Sequence, residues 1–454
     1  MKETKSCCLR REMILPFNEE LTRISAIDLK DLIVANPLEE QLQIFQTLPF
    51  DKSVVVFEYL PLRTQLEILN ALPSQKIANL LNSLSPDDRT ALLSELPSDL
   101  MNHLIKYLSP KEKALSLKLL GYPEDSVGRL MTPDYIDVKL EWTVQQALDE
   151  IRRVGKDSET INVVYAVDDK GILMDDFRIR QLLLSPPDRL LKDLGDRKFI
   201  ALNVAEDQEK AIQIFYKYER SALPVTNEKG VLLGIVTIDD IIEVSVEENT
   251  EDIQKIGGSE ALSEPYLETP FMNLMQKRVG WLLILFVGEM LTASAMGYFE
   301  AEIAKAVILA LFVPLIISSG GNAGSQASTL VIRAMALGEV SLSDWWKIMR
   351  REILSGIFLG TILGMVGFFR IGLWSQFSPI YGDHWILMAW TIFFALFCVV
   401  LWGTVTGSML PLLLRSCGFD PATSSAPFIA TLVDVTGLII YFSIAILFLS
   451  GTLL

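Results

Sequence analysis

Five long apolar stretches constrain the fold of this chain more than any other feature of its sequence. They cover about residues 279–299, 303–331, 353–375, 386–414 and 428–452. Each reaches the roughly 20 residues that an α-helix needs to cross the hydrocarbon core of a bilayer. Because irregular backbone is not tolerated against lipid, such stretches have to be helical. The sequence therefore predicts a five-span α-helical membrane domain at 276–454.

The charged residues are distributed unevenly between the two parts of the chain. From Phe271 onward there are nine acidic and nine basic residues, so the formal net charge of −16 belongs entirely to residues 1–270. Nucleic acid is disfavoured as a partner, because phosphate recognition requires a basic surface. An acidic surface instead attracts cations.

Basic residues also orient the spans, because connecting segments rich in Lys and Arg stay on the cytoplasmic side. Lys277 and Arg278 precede the first span and Arg415 precedes the fifth. The segment between the second and third spans adds Arg333, Lys347, Arg350 and Arg351. We therefore expect the first 270 residues in the cytoplasm and, after an odd number of spans, the C-terminus outside.

A leucine recurs every 12 residues within the segment 25–120. Proline follows Leu48, Leu60, Leu72 and Leu96 directly, and Ser-Pro follows Leu84 and Leu108. Proline is tolerated at the first helical position, so each repeat predicts a turn that opens a short helix. Such helices must stack on their neighbours to be stable. We expect a tail at 1–24 and a cytosolic, α-helical, solenoid-like N-domain at 25–127, for which an ordinary helical bundle is the alternative.

The pattern changes to mixed α/β in residues 128–250. The order helix, strand, turn, strand, helix occurs twice, which favours a tandem pair of small α/β modules at 128–192 and 193–245.

The second of these modules ends in LPVTNEKGVLLGIVTIDD and resembles a CBS module. Gly234, Thr237 and Asp240 stand at the Gly-x-x-Thr-x-x-Asp positions of that family. The first copy is degenerate, since Asp175-Asp176 stands where the family has a glycine-containing strand. Nucleotide binding is therefore not expected at the first copy.

A long helix is predicted over 241–275, with residues 246–275 as the linking (plug) helix that leads into the first span. Its acidic residues are spaced by one, three and four positions: Glu243, Glu247, Glu248, Glu251 and Asp252. Several of them share a face, where like charges repel one another. This face is either simply solvated or a surface that requires divalent cations, since hard cations take carboxylate oxygens.

Polar groups occur at membrane depth in three places, where they are costly and usually line the bundle interior or a water-filled path. Asp434 is the last charged residue of the chain. Residues 314–329, PLIISSGGNAGSQAST, combine three glycines and five hydroxyls with the amides of Asn322 and Gln326. Close helix packing explains the small residues but does not require both amides. Glu289 is either a structural carboxylate or a support for a pore.

The types of these residues indicate which ion they suit. One aspartate is a weak cation site, but a two-fold axis would bring two copies of Asp434 together. Carboxylates and carbonyl oxygens suit a hard divalent ion, and Mg²⁺ would be contacted through its water shell. The chain has two histidines, His103 and His384, and no cysteine or methionine cluster near these stretches. A pathway for soft transition metals is therefore disfavoured.

In its order of domains, over nearly the whole chain, the sequence resembles the MgtE family of magnesium channels and transporters. The matching segments are GYPEDSVGRLMTP (121–133), LGIVTIDD (233–240), TEDIQKIG (250–257), PLIISSGGNAGSQASTLVIRA (314–334) and ATLVDVTGLIIYFS (430–443). The resemblance implies a homodimer in the plasma (inner) membrane, with a Mg²⁺-selective pore lined by the second and fifth spans. Asp434 would hold hydrated Mg²⁺, with the Ala430 carbonyl nearby and Asn322 as a neighbour on the second span.

The resemblance also implies a cytosolic Mg²⁺ sensor that inhibits the transporter itself. The matching acidic positions are Asp87, Asp207, Glu209, Glu219, Asp240, Glu243, Glu248, Glu251 and Asp252. Ala91 stands at a further acidic position of the family, a departure expected to weaken docking of the N-domain. Bound Mg²⁺ would bridge these carboxylates and hold the linking helix over the pore, and their repulsion would open it when Mg²⁺ is scarce.

Two alternatives stay open from the sequence. The first is a transporter of Co²⁺ or another divalent cation. The second, from a different class, is a membrane-anchored nucleotide sensor in which the CBS pair is the working part and the spans serve only as an anchor. ATP is a possible ligand of the CBS pair in either case. An enzyme is disfavoured, because the sequence has no nucleophile–base or zinc-ligand constellation.

Overall fold

The computed structural model describes Leu21 and residues 23–262, 265–267, 269–377, 381 and 384–452. The tail predicted at 1–24 lies almost entirely outside these residues. The chain divides into two compact units, Met1–Glu243 and Val244–Leu454. The domain boundaries given above stay predictions.

Eight short helices follow one another in the N-terminal region. They are α1 (Ala26–Val34), α2 (Leu38–Thr47), α3 (Phe50–Glu58), α4 (Leu62–Ala71), α5 (Ser74–Ser83), α6 (Pro86–Ser94), α7 (Ser98–Leu104) and α8 (Pro110–Leu120). All six leucines of the 12-residue repeat are buried in one core. The repeat is therefore the packing signal of a stack of short helices, which confirms the predicted helical N-domain.

The proline of each Leu-Pro repeat lies one position earlier than predicted. Pro49 and Pro61 are N-cap residues with extended backbone, and the helix begins at the next residue. In the Ser-Pro repeats Pro86 does occupy the first helical position, because the Ser85 hydroxyl caps the helix by accepting a hydrogen bond from the Asp88 backbone N–H. Both positions accept proline, since the first N–H groups of a helix have no intrahelical partner.

Two three-stranded sheets with the same pattern follow in the first unit. One contains β1 (Asp137–Val138), β2 (Val163–Val167) and β3 (Leu173–Arg178), and the other β4 (Leu202–Asn203), β5 (Ala222–Thr226) and β6 (Leu232–Thr237). In each sheet the first pair of strands is parallel and the second antiparallel. The accompanying helices are α9 (Val127–Leu130), α10 (Val144–Val154), α11 (Ile179–Leu183) and α12 (Gln208–Tyr218).

The hairpin turns of the two sheets contact each other reciprocally. The Leu173 N–H donates to the Gly230 carbonyl and the Leu232 N–H to the Gly171 carbonyl, each at 3.0 Å. Gly171 and Gly230 have φ angles of 77° and 76°, a region that glycine enters at little cost. This two-fold exchange confirms the tandem α/β pair.

Asp175 of β3 shows how the first module accommodates its departure from the family pattern. Its buried carboxylate accepts a hydrogen bond of 3.1 Å from the Arg197 N–H. Gly195 lies so close that a Cβ there would overlap this carboxylate. The neighbouring Asp176 pairs with Arg220 of the second module at 3.4 Å. The two aspartates therefore connect the modules to each other and to the intervening loop.

The prediction of one continuous helix over 241–275 is wrong for its C-terminal half. Helix α13 runs from Ile238 to Ile256, and the next helix begins at Phe271. Gly257 and Gly258 follow α13 directly, and Gly258 has a φ of 77°, which is typical of helix termination.

The second unit contains α14 (Phe271–Tyr298), α15 (Glu300–Lys305), α16 (Val313–Ala336), α17 (Trp345–Trp374), α18 (Trp385–Ser416) and α19 (Ala426–Leu449). Five helical segments are long and apolar enough to cross a membrane: Phe271–Tyr298, Val307–Ala336, Leu342–Trp374, Trp385–Ser416 and Ala426–Leu449. This confirms the five predicted spans, although their ends differ. The second span begins with a 3₁₀ turn at Val307–Phe312, later than the predicted residue 303.

Glycines let α16 pack closely against α18. A Cβ at Gly403 would overlap the carbonyl oxygen of Gly320, and one at Gly407 would overlap that of Gly324. Small residues allow this backbone approach, which packs the helices without a hydrophobic driving force. The glycines of the 314–329 segment therefore serve helix packing, and its amides need a separate explanation.

Candidate functional site

Helix α16 carries a row of polar side chains on the surface of the second unit. Ser318, Asn322 and Gln326 follow each other at intervals of four residues, so they lie on one side of the helix. All three are exposed in the single chain, and the Asn322 amide donates to the Ser318 hydroxyl at 3.4 Å. We call these three residues the polar stripe.

The fifth span passes next to the polar stripe. A Cβ at Gly321, the residue before Asn322, would lie 3.5 Å from the Cα of Ala430. Asp434 follows Ala430 by one helical turn on α19 and is partly buried. The structure thus brings the helix segment of Asn322 next to that of Ala430 and Asp434. Within the described residues no hydrogen bond joins Asn322 to Asp434.

Two neighbours of this segment were not predicted to contact it. The Trp402 indole of α18 donates a hydrogen bond of 2.9 Å to the Thr436 hydroxyl, two residues after Asp434. Glu289 of α14 forms a side-chain hydrogen bond with Asp434 itself. The sequence marks Trp402 only as an aromatic residue within a span. It marks Glu289 as a costly carboxylate without naming its partner.

A second group of carboxylates lies in the first unit and includes two of the predicted sensor residues. It consists of Glu58, Asp87, Asp88, Glu159, Asp239 and Asp240, which act on one another electrostatically. We call this group the acidic cluster. Its members come from helices α3 and α6, from the loop after α10 and from the start of α13. Sequence reasoning found Asp87 and Asp240 and missed the other four.

Burial and mutual repulsion raise the pKa values of several carboxyl groups in the acidic cluster. Burial is the main cause that raises the pKa of Asp87 to about 7, and the charge of Asp240 adds to it. Burial likewise raises the pKa of Asp240 to about 7 against the opposing effect of its hydrogen bonds from Thr237. The pKa of Glu58 rises to about 7 through burial and the charge of Asp88. The Asp87 Oδ1 atom is buried without a hydrogen-bond partner among the described residues.

The remaining predicted sensor residues of the first unit do not form one site. Asp207 caps α12 and accepts a hydrogen bond of 2.8 Å from the Glu209 N–H. Glu219 ends the same helix, about 18 Å away at 1.5 Å per residue. Glu243 lies near Tyr59, at the edge of the acidic cluster. Ala91 is exposed on α6 and, being an alanine, supplies no carboxylate at that family position.

In the second unit the end of α13 contacts the segment before the fifth span. Lys255 donates a hydrogen bond of 2.7 Å to Asp420 and also pairs with Glu251. Burial and the charge of Asp420 raise the pKa of Asp252 to about 6. Glu248 lies one turn before Asp252 on the same helix. Glu251, Asp252 and Asp420 thus form an acidic contact that Lys255 partly neutralises.

Comparisons with known proteins identify the family. A profile described as a divalent cation transporter matches residues 313–444, the MgtE intracellular N domain matches 24–125, and a CBS domain matches 191–247. The magnesium transporter MgtE of Thermus thermophilus is 38% identical over 333 residues, which cover 73% of this chain and 72% of that protein.

The chain belongs to the MgtE family of magnesium transporters. Magnesium transporter MgtE of Enterococcus faecalis is 33% identical over 339 residues, covering 74% of this chain and 72% of that protein. A crystal structure of the cytosolic domain of the Mg²⁺ channel MgtE in complex with ATP is also similar, at 33% identity and a TM-score of 0.48. It covers 50% of this chain and 93% of that one.

Membership of the MgtE family, with five apolar helices, makes this protein an integral membrane protein of the plasma membrane. It also assigns the chain to a family of transporters and not to a family of enzymes. Asn322, Ala430 and Asp434 all lie within the matched transporter segment 313–444, whereas Glu289 lies outside it.

The described residues of this MgtE-family chain contain no group of three His, Cys, Asp or Glu side chains placed to hold one metal ion directly. Pairs of carboxylates, as at Asp87 and Asp240, suit an ion that keeps much of its water shell. Mg²⁺ is such an ion, since it dehydrates reluctantly and usually uses one or two carboxylates.

Proposed function

We propose that this protein imports Mg²⁺ down its electrochemical gradient, through a channel-like pore in a homodimer that cytosolic Mg²⁺ closes. The observation that carries the proposal is Asp434, a carboxylate at membrane depth on the helix that packs against α16 beside Asn322. A carboxylate at this depth costs several kcal/mol (roughly 3 on insertion scales), which a permeant cation can offset.

The polar stripe supports the homodimer. Ser318, Asn322 and Gln326 are exposed on a single chain, although they lie within an apolar span. Amides facing lipid would lack hydrogen-bond partners, and polar groups inside membranes normally face protein or water. A second copy related by a two-fold axis would cover the stripe and turn it toward a water-filled path between the protomers.

The pore chemistry follows from the preference of Mg²⁺ for its own water. Two Asp434 carboxylates facing each other would accept hydrogen bonds from the water shell, and the Ala430 carbonyl and the Asn322 amide would position other waters. At equal distance from the same carboxylates, a monovalent cation gains half the electrostatic energy that Mg²⁺ gains. The site therefore favours Mg²⁺.

The acidic cluster supports self-inhibition by cytosolic Mg²⁺. Carboxylates of the N-domain and of the CBS pair lie together in it, and their raised pKa values report that ionising them there is costly. Mg²⁺ bound between them lowers this cost, so the compact arrangement is favoured when Mg²⁺ is plentiful. The contact of Glu251 and Asp252 with Asp420 supplies a second place where cations stabilise the position of α13. Asp207, Glu209, Glu219, Glu243 and Glu248 are proposed as further sensor positions.

Mg²⁺ uptake into liposomes tests the pore proposal. Purified full-length protein is reconstituted, and Mg²⁺ inside and outside is varied independently with a fluorescent Mg²⁺ reporter. We expect uptake that falls as Mg²⁺ rises on the cytosolic face, and no uptake by the Asp434→Asn variant, which keeps the size of the side chain. Wild-type uptake by that variant in correctly assembled dimers contradicts the pore assignment.

The same liposomes separate Mg²⁺ from other divalent cations. The description of the matched transporter profile names divalent cations in general, so Co²⁺ is the alternative cargo. We expect Mg²⁺ uptake to persist in an equal concentration of Co²⁺. Preferential Co²⁺ entry would replace Mg²⁺ as the cargo.

We also propose that ATP binds at the second CBS module. Thr237 and Asp240, at the family positions, lie together at the end of β6, where the Thr237 hydroxyl donates a hydrogen bond of 2.6 Å to Asp240. Equilibrium dialysis of the full-length protein against labelled ATP tests this. No binding at millimolar ATP contradicts it.

Thiol labelling tests the orientation of the termini. Cys417 is exposed in the segment before the fifth span, predicted to be cytoplasmic, and Thr452 lies at the predicted outer end of the chain. In intact cells a membrane-impermeant maleimide should label Thr452→Cys but not the wild type, whose cysteines react only after permeabilisation. The reverse pattern would invert the proposed topology.

A further inference from the structure

The carboxyl group of Glu289 meets that of Asp434 although the two residues lie on the first and the last spans. A hydrogen bond joins the two side chains, so one of the two carboxyl groups carries the proton that they share. Glu289 lies past the middle of α14 and outside the segment 313–444 that matches the transporter profile. The proposed pore is lined by the second and fifth spans, so the role of the first span needs a separate explanation.

The meeting of the two residues follows from how α14 packs along α19. At one end the Trp281 indole donates to the Ser425 hydroxyl at 3.1 Å. At the other, the rings of Phe299 and Phe442 stack with their centroids 5.0 Å apart. The two helices therefore run side by side in the same direction across the membrane.

A glycine places Glu289 within reach of Asp434. A Cβ at Gly288 would lie 2.6 Å from the Cγ2 of Thr431, so any larger residue would push α14 away from α19. Glu289 follows this contact immediately on α14, and Asp434 follows Thr431 by three residues on α19. The close approach brings the two carboxyl groups to the same depth.

In the described part of the chain, Glu289 is the one charged group found to act on Asp434. Two acidic groups at membrane depth without a basic partner are costly, and such residues usually mark an ion path. Thr292 lies one turn after Glu289 on the same side of α14, and its buried hydroxyl oxygen has no hydrogen-bond partner among the described residues. The polar side of α14 thus continues beyond the carboxyl pair.

We propose that Glu289 is a specificity-determining residue of the transport site, whose carboxylate contacts the water shell of the same Mg²⁺ that Asp434 holds. This inference rests on the proposed function of Asp434. In a homodimer, once Mg²⁺ displaces the proton that each Glu289–Asp434 pair shares into water, Glu289 doubles the carboxylates around the ion from two to four. Since the attraction of a carboxylate scales with the charge of the ion, the added pair favours a divalent over a monovalent cation.

Glu289→Gln separates this role from a structural one, because a glutamine can still hydrogen-bond to Asp434 but carries no charge. We expect at least about a tenfold rise in the Mg²⁺ concentration that gives half-maximal uptake, because losing one charge close to a divalent ion in water already has an effect of that order and the variant removes one charge from each protomer. We also expect a reduced Mg²⁺ to Na⁺ permeability ratio, measured as a shift of the reversal potential in planar bilayers. Glu289→Asp keeps the charge. Its half-maximal Mg²⁺ concentration and its permeability ratio should therefore lie closer to the wild-type values than those of Glu289→Gln.

Glu300→Gln is the matched control, since Glu300 is an exposed carboxylate just after α14. It should leave both quantities unchanged. If Glu289→Gln and Glu289→Asp, both eluting as wild-type dimers, keep the wild-type Mg²⁺ dependence and permeability ratio, the inference is overturned. If the Glu289 variants behave as wild type while Asp434→Asn shows no uptake, only the inference about Glu289 fails and the proposed pore stands. Uptake by Asp434→Asn would instead overturn the pore assignment itself, so the two failures are distinguishable.

Discussion

The ammonium group of Lys255 lies 2.7 Å from the Asp420 carboxylate and also contacts Glu251, one turn earlier on the same helix. A positive side chain thus stands between two acidic groups where the proposed sensor would use Mg²⁺. The hydrogen bonds to Asp420 and Glu251 raise the pKa of Lys255 further above its usual value, although burial opposes them, so it stays charged at any physiological pH.

Removing this built-in cation should make closure more dependent on Mg²⁺. In Lys255→Met the carboxylates of Glu251, Asp252 and Asp420 repel one another without compensation, which weakens the hold on α13. We expect the cytosolic Mg²⁺ concentration for half-maximal inhibition to rise several-fold, consistent with about 1 kcal/mol for a partly exposed ion pair. Liposome uptake at varied inner Mg²⁺ measures this.

The control for this prediction is Lys229→Met, an exposed lysine in the turn between β5 and β6. Its inhibition curve should coincide with that of the wild type. An unchanged curve for Lys255→Met would show that Lys255 does not support closure.

The acidic cluster should respond to pH as well as to Mg²⁺. Asp87 and Asp240 have pKa values raised from 3.8 to about 7 in the compact first unit. The compact arrangement therefore binds more protons than a separated one, and without Mg²⁺ it loses stability as pH rises from about 4 to about 7 and changes little above that. Spin labels on α5 and α12 of the full-length protein report the separation.

We expect a narrow distance distribution at pH 5, a broad one at pH 7.5, and a narrow one again at pH 7.5 with saturating Mg²⁺, because a ligand that binds only the compact arrangement stabilises it. Asp87→Asn, which removes one ionisable group, should weaken the pH dependence. A distribution that stays narrow at both pH values without Mg²⁺ would contradict the role of the cluster.

The buried guanidinium of Arg89 should be essential to the N-domain. It is almost fully inaccessible, pairs with Glu112, and donates hydrogen bonds of 3.0 to 3.3 Å to Ser116 and to the carbonyls of Leu81 and Leu84. Arg89→Met leaves these acceptors unsatisfied and should destabilise the N-domain by about 3 to 5 kcal/mol. Thermal unfolding of the full-length protein, followed by proteolysis of this region, measures the loss.

Arg63→Met is the comparison, because Arg63 forms an exposed ion pair of 3.1 Å with Glu67. It should change stability by less than about 1 kcal/mol. Equal effects of the two substitutions would show that burial of Arg89 adds nothing to its contribution.

Gly403 should tolerate no added side chain, since a Cβ there would overlap the Gly320 backbone. We expect Gly403→Ala to separate α16 from α18 and to lower the free energy of unfolding of the membrane domain by about 1 to 3 kcal/mol. Gly297→Ala is the control, because nothing lies within 4 Å of a Cβ at Gly297. Thermal melting in detergent, read by size-exclusion chromatography, compares the two. A Gly403→Ala variant as stable as Gly297→Ala would contradict the tight packing.

Much of the architecture could be predicted because its signals are local along the chain. The five spans follow from hydropathy and length, the stacked N-terminal helices from leucines spaced by 12 residues, and the paired sheets from a repeated order of elements. Asp434 could be identified as a functional candidate for the same reason, since a charged residue within an apolar span stands out from the local sequence alone. The end of α13 was missed although Gly257-Gly258 signals it, because the acidic periodicity was extended too far.

The sequence by itself thus determined the kinds of elements, their order and the residues whose burial would be costly. The tertiary structure alone decided which of those residues meet. Asp87 meets Asp240 across 153 residues of chain, and Glu289 reaches Asp434 across 145. Periodicity and hydropathy describe a residue's own helix, whereas the partner of a carboxylate depends on how separate helices pack. At Glu289 that packing depends on Gly288, which lets α14 approach α19.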